Sequence, residues 1–373
     1  MFAVNTASAL CQTAQIGALP LLIGLVLTER GFGPGTIGLI AAAPWLAILV
    51  FSRLVAPLIN RIGLPAAILS SALGSGLLVV LIGGTENLGT LFVLNFLVGI
   101  GLIVRWISCD TWIVLIAPKE IRGRAIGIHE TLMGLGIAAG PLVLTAAGTH
   151  GLLPFLVCAI LLFSSTPWLL LARGVHRCAS VDRHGSHGPF RFLTLIPTAL
   201  SGAFLAGFVE TSVISLLAVY CVEAGHDRMG AALLVSAFGL GGTLLQVPIG
   251  WFADRFSGRS GQLLCAGTIL AGSLLIPLLL AQSWAAAVLA FFWGGAVGGM
   301  YTLAVLEAGA KVRDHHIASA MTAAAFFYTL GSAIGPSLSG ALMQLAPPHG
   351  LMIATGAVSV VFLGLLLARS MRD

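Results

Sequence analysis

The sequence predicts an all-α membrane protein of twelve transmembrane helices, arranged as two repeated six-helix bundles. Three observations carry that expectation: a composition too apolar for a water-facing surface, twelve stretches long enough to cross a bilayer, and two motifs that recur at one offset. Of the 373 residues, 58% are hydrophobic and 8% are charged, whereas about 25% are charged in an average soluble domain. A chain this apolar has too few polar groups to cover itself in water, so lipid is the solvent that fits it.

A helix rises about 1.5 Å per residue, so about 20 residues cross a hydrocarbon core about 30 Å thick. On that ruler the spans fall near residues 3–27, 36–55, 64–84, 89–117, 125–147 and 151–172. A second set lies near 194–221, 229–251, 260–281, 284–309, 317–345 and 349–368. Backbone N–H and C=O groups cannot stay unpaired in lipid, which makes these segments helices rather than open strands. Turn residues and charges fill the breaks, as at Gly31–Gly35, Asn60–Pro65 and Pro118–Gly123. The break at 173–193 is the longest. It carries Arg173, Arg177, Arg183 and Arg191 among Gly, Ser and His, and reads as a cytoplasmic linker between a bundle at 1–172 and another at 194–373. The first segment lacks a basic n-region and a cleavage pattern, so it reads as an uncleaved first span.

The cations fix an expected orientation. With the N-terminus inside, Arg53, Arg61, Lys119, Arg122, Arg124, Arg173, Arg177, Arg183, Arg191, Arg255, Arg259, Lys311, Arg313, Arg369 and Arg372 are cytoplasmic. Arg30 and Arg228 face out, and Arg105 lies within a span. Cytoplasmic loops of membrane proteins carry such an excess of Lys and Arg. The bias supports a multi-pass inner (plasma) membrane protein with both termini cytoplasmic. It also accounts for the net charge of +5 without a nucleic-acid partner. The six cysteines show no paired spacing and read as small buried hydrophobes. No metal or cofactor is expected: His176, Cys178, Asp182, His184 and His187 crowd the linker without firm ligand spacing.

Asn60-Arg61 precedes Asp254-Arg255 by 194 residues, and Gly136-Ile-Ala-Ala-Gly140-Pro141 precedes Gly331-Ser-Ala-Ile-Gly335-Pro336 by 195. Two unrelated motifs at a common offset indicate a tandem repeat of parallel topology. In membrane proteins such repeats point to alternating access around a site at the repeat interface.

These residues resemble the major facilitator superfamily. Gly250-Trp-Phe-Ala253-Asp254-Arg255-Phe-Ser-Gly258-Arg259 is similar to that family's loop signature, with one extra residue before its last glycine. The first-half copy, from Ala56 through Asn60-Arg61 to Gly63, is degenerate. Gly136–Pro141 is similar to the glycine-proline motif of the fifth helix, described mostly in exporters, but lacks its trailing glycine. Asp110-Thr-Trp112, Arg122-Gly-Arg124 and Gly134–Pro141 resemble the YcaD-like branch.

Ionisable residues inside a bilayer are costly, about 2.5–3.5 kcal/mol each at the centre of a helix on insertion scales, so those retained face partners or a wet cavity. Arg105 falls mid-span four and Glu210 mid-span seven. The resemblance implies a central cavity lined by spans one, four, seven and ten, and places both residues on it with Gln12, Gln15, Trp112, Trp293 and Tyr301. A static Arg105–Glu210 clamp is the structural alternative. The planar guanidinium suits a carboxylate or phosphate on a substrate, so an anionic or amphipathic solute is expected. Asp110 and Glu307 sit at matching places towards the cytoplasmic side. They are expected to gate by pairing with Arg61 and Arg255 respectively when the cytoplasmic side is closed, with Asp254 in the same device. Glu130, near the depth of Asp110, is the expected proton-coupling carboxylate; with His129 it could instead cap contacts to span eight.

No nucleophile–base arrangement, phosphate-binding loop or added soluble domain is evident. The expected function is that of a secondary active transporter: a monomer moving a small organic solute by alternating access, coupled to protons or another ion, with export the expected direction. The rivals are a transport-inactive sensor or adaptor of the same fold and an intramembrane enzyme, which would need a catalytic cluster.

Overall fold

The computed structural model describes residues 2–116, 122–171, 192–311 and 317–370. Twelve helical rods follow one another among them. They are α1 (Phe2–Glu29), α2 (Pro34–Ile62), α3 (Leu64–Gly83), α4 (Leu88–Ile116), α5 (Arg122–Ala147) and α6 (Leu153–Leu171). There follow α7 (Pro197–Glu223), α8 (Arg228–Leu244 continued by Gln246–Arg255), α9 (Gly258–Leu279), α10 (Ser283–Ala310), α11 (Ile317–Leu345) and α12 (Gly350–Ser370). Ten are long and apolar enough to cross a bilayer, and bent α8 is the eleventh. With 29 residues α11 is also long enough, but Ala, Gly and Ser fill much of it because its backbone runs close to a neighbour. Most of the expected linker, residues 173–191, lies outside the described residues.

Two irregularities trace to proline. The halves of α8 meet at 42°, three residues before Pro248, whose nitrogen has no hydrogen for the Leu244 carbonyl and whose ring crowds that carbonyl. In α1, Thr13–Ala18 forms a π-helical turn, and the Leu19 N–H reaches back five residues to the Ala14 carbonyl. Pro20 follows at once and cannot bond the Ile16 carbonyl, so the wider turn absorbs the mismatch.

The repeat is visible in how helices end. Gly31 (φ +80°) and Gly225 (φ +87°) are left-handed, a conformation that favours glycine. Around Gly31, Phe32 N–H donates to Leu27 O and Gly31 N–H to Thr28 O, both at 3.0 Å. Around Gly225, His226 N–H donates to Cys221 O at 2.9 Å and Gly225 N–H to Val222 O at 3.0 Å. This paired C-terminal cap closes α1 and α7 at equivalent positions of the repeat.

The chain forms two compact units, Met1–Val26 with Ala43–Arg183, and Leu27–Ala42 with His184–Asp373. The end of α1 and the start of α2 thus group with the C-terminal unit, which the sequence boundary at 172 does not anticipate. Within that unit Gly38 abuts α11: an added Cβ would overlap the Pro336 carbonyl and lie 3.3 Å from the Gly340 Cα. Nearby, Arg228 Nη1 is 3.5 Å from Glu29 Oε2.

The glycine motif acts through packing in each unit. A Cβ on Gly136 would lie 3.0 Å from Ala9 O, and one on Gly140 would lie 2.5 Å from Ala18 N, so α5 runs against the backbone of α1. A Cβ on Gly331 would lie 2.8 Å from Phe208 N, and one on Gly335 would lie 2.7 Å from Ser212 Oγ, so α11 runs against α7. Small residues one turn apart permit such close crossings in lipid, where packing rather than water exclusion drives association. Outward-facing Leu54, Leu77, Val93, Leu170, Leu278 and Val361 remain exposed, as a belt against hydrocarbon requires.

Candidate functional site

In the N-terminal unit the π turn of α1 stands opposite Arg105 on α4. The arginine is 2% exposed, and α1 supplies its acceptors. Arg105 Nε donates to Gln15 Oε1 at 2.9 Å, Nη1 to Ser8 Oγ at 2.9 Å and Nη2 to Gln12 Oε1 at 2.5 Å. Gln15 in turn donates through Nε2 to Ser75 Oγ of α3 at 2.9 Å, so both ends of its amide are occupied. A buried charge demands such partners because desolvation otherwise outweighs packing. All three acceptors are neutral, so the charge itself is not cancelled by them. Ser8, Gln12 and Gln15 follow at i, i+4 and i+7, one face of a helix. That stripe is the signal that could have drawn Ser8 into the expected site.

At the end of the same unit, His129 of α5 lies between Asn5 of α1 and Asp110 of α4. Its Nδ1 is 2.9 Å from Asn5 Oδ1. Its Nε2 is 3.2 Å from Asp110 Oδ1, ion-pair distance, although the alignment falls short of a hydrogen bond. In this structure Asp110 stands against His129 and not against the expected gate partner Arg61. Arg61 is exposed and forms no ion pair among the described residues. His129 also displaces Glu130 from the interior. Neighbouring residues point about 100° apart on a helix, and the one facing inward is His129, 2% exposed, while Glu130 is exposed.

In the C-terminal unit Glu210 of α7 is partly exposed and accepts a 3.0 Å hydrogen bond from the Tyr328 hydroxyl of α11. Tyr301 of α10 packs on Tyr328 with ring centroids 4.8 Å apart at 55°. Gly207 brings α7 close enough for this, since a Cβ there would lie 2.8 Å from the Tyr328 carbonyl carbon. Glu307 accepts from Thr198 of α7, from Gln262 Nε2 of α9 at 2.7 Å and from Lys311 Nζ at 2.7 Å. In this structure Lys311, one turn beyond Glu307, holds the carboxylate, and the expected gate partner Arg255 is exposed. The Asp254 side chain lies outside the described residues.

Two aromatic expectations also change. Trp293 is 0% exposed, packed edge-on against Phe238 at 5.6 Å and seated in the gap that Gly272 leaves. Trp112 is equally buried in its own unit. Both are packing residues in this structure and line no accessible space. Sequence reasoning missed Tyr328, Gln262 and Thr198. Gln262 was legible as a lone amide in an apolar span, and Tyr328 as one of only three tyrosines in the chain.

Two helical units, each with a charged polar cluster inside an apolar shell, define a multi-pass membrane protein. Comparison with known proteins gives the family. Residues 1–223 and 199–372 both match the family model of the Major Facilitator Superfamily, and the chain belongs to that family. It is 25% identical over 368 residues to the uncharacterized MFS-type transporter YfkF of Bacillus subtilis strain 168, covering 95% of this chain and 91% of the relative. It is 27% identical over 363 residues to the uncharacterized MFS-type transporter YcaD of Shigella flexneri serotype 5b, covering 95% and 92%. Among solved structures, the nucleoside transporter NupG superimposes with a TM-score of 0.83 at 12% identity, over 98% of each chain. A bacterial homolog to the human lysosomal transporter Spinster, inward-facing and unoccupied, gives 0.75 at 17% identity, over 98% of this chain and 94% of that one. These structural likenesses establish the fold.

Proposed function

We propose that the protein is a secondary active transporter that moves a small organic solute outward by alternating access, driven by the proton gradient. It works as a monomer with both termini in the cytoplasm. The observation that carries this reading is the placement of Gln15 and Glu210, 195 residues apart, at equivalent points of the first helix of each repeat. Each belongs to a polar cluster inside the apolar rod, with Arg105 in one unit and Tyr328 in the other. Groups this costly in lipid are kept where a solute or ion must be met. Among the described residues, His129 and Asp110 are the proton-carrying pair we assign in place of Glu130, because they are in contact and His129 is buried. The outward direction rests on the likeness of Gly136–Pro141 to the motif found mostly in exporters.

The test starts with a thermal-shift screen of the purified protein against metabolite and drug libraries. Compounds that stabilise it are then followed in proteoliposomes with an imposed pH gradient. Flux that depends on the gradient and collapses with a protonophore is expected. A compound that binds tightly yet never moves under any gradient would instead support a sensor or adaptor of the same fold.

A further inference from the structure

We infer that Glu210, Tyr328 and Tyr301 form, on the C-terminal unit, a subsite for an organic ammonium ion. This rests on the transporter reading and names the substrate class for one of its clusters.

Glu210 is a carboxylate in the middle of a 27-residue helix that crosses the membrane. Its Oε2 accepts the Tyr328 hydroxyl, and one neutral donor does not cancel a negative charge. Among the described residues no Lys, Arg or His lies within ion-pair distance of it. Glu307, on α10 of the same unit, shows the contrast, since Lys311 neutralises it and two further donors complete it. A carboxylate left partly exposed and without a cation is poised to receive one from outside the unit.

The surroundings select which cation. Tyr301 packs on Tyr328, ring centroids 4.8 Å apart at 55°, so an aromatic pair stands beside the carboxylate that the Tyr328 hydroxyl touches. With Phe204 they form the partly buried edge of the aromatic and alanine-rich cluster beneath. Ring faces attract cations through their quadrupole, most usefully cations that shed water easily, such as substituted ammonium groups. A hard metal ion requires several oxygen ligands, and no cluster of three metal-binding side chains occurs among the described residues. A bare proton would use the carboxylate and leave the rings without a role. An anion would meet the carboxylate's repulsion. In the other unit the Arg105 fork is already engaged by Ser8, Gln12 and Gln15, so it is not an open receptor for a carboxylate or phosphate. The charge that the Glu210 cluster itself offers a solute is negative.

The experiment measures binding to the purified full-length chain in detergent, where no gradient exists, by calorimetry. Three probes share a benzyl-sized frame: benzyltrimethylammonium, its neutral isostere neopentylbenzene, and the anion benzenesulfonate. The wild type should bind the cation and discriminate against both others. Glu210→Gln should weaken the cation by about thirtyfold or more, as expected when one partner of a desolvated charge pair is removed. Tyr301→Leu should weaken it by about two- to thirtyfold, the range of a cation–π contact. The wild-type comparison of the three probes needs no variant and so stands if a variant misfolds. The inference is overturned if benzenesulfonate or neopentylbenzene binds as tightly as the cation, or if none of the three binds to folded protein. It is also overturned if Glu210→Gln loses proton-driven flux while its affinity for benzyltrimethylammonium is unchanged, because Glu210 would then carry only a proton. That last result would leave the transporter reading intact. Cation binding without flux in proteoliposomes would uphold the subsite and sink the transporter reading instead.

Discussion

Replacing Gly140 by valine tests whether the glycine motif works by letting α5 touch the backbone of α1. A Cβ at that position would lie 2.5 Å from Ala18 N and overlap the Gly17 backbone, whereas ordinary contacts run from 3.4 to 4 Å. Both obstructing groups are main chain inside a helix, so they cannot rotate aside. The helices would have to part by about 1 Å or more. Overpacking of this kind costs about 1–3 kcal/mol, and the better helix propensity of valine over glycine returns only about 0.4 kcal/mol. The shift would also draw Gln12 and Gln15 away from Arg105, where hydrogen bonds to a charged group contribute about 1.5–3 kcal/mol each. A net loss of about 2–4 kcal/mol follows. Gly74→Val on α3 is the control, since nothing lies within 4 Å of a Cβ there, and a change within about 0.5 kcal/mol is expected. Melting curves of the two purified variants and the wild type decide the matter. Gly140→Val should melt several degrees lower and Gly74→Val at the wild-type temperature. Equal melting of the two variants would refute the close crossing and, with it, the packing account of the motif.

Arg105→Lys should keep the fold but cut transport, because an ammonium cannot serve Ser8, Gln12 and Gln15 in one plane; wild-type flux in proteoliposomes would count against the network. Arg105→Ala should destabilise by about 2–4 kcal/mol, through three acceptors left without their donor, and a melting curve checks it. A double-mutant cycle of Asp110→Asn and His129→Gln should show a coupling of about 0.5–3 kcal/mol, and additive effects would mean the two do not interact. Trp293→Ala should cost about 3–5 kcal/mol. Trp293→Phe should cost clearly less, since the indole Nε1 has no hydrogen-bond partner among the described residues; equal losses would show that the nitrogen matters.

The sequence by itself determined what depends on counting along the chain. Composition set the solvent, span length set the helices, and the 194–195 offset set the repeat, which the paired caps at Gly31 and Gly225 display again. It also marked Arg105, Gln12 and Gln15 as interior polar residues, which the fold joins into one network. Partner choice was not legible, because it turns on which neighbour faces which. Asp110 meets His129 rather than Arg61, and Glu307 meets Lys311 rather than Arg255. In each case a residue on an adjacent helix or one turn away is nearer than the loop arginine, and the sequence holds no measure of that distance. Trp293 and Trp112 looked like cavity walls by their span numbers, but facing is a rotation about the helix axis, and the axis is fixed only when neighbours pack. The π turn at Thr13–Ala18 shows the reason most directly. One wide turn advances every later side chain of α1 around the rod, so which face of Leu19–Glu29 turns inward is decided by tertiary contact and not by spacing alone.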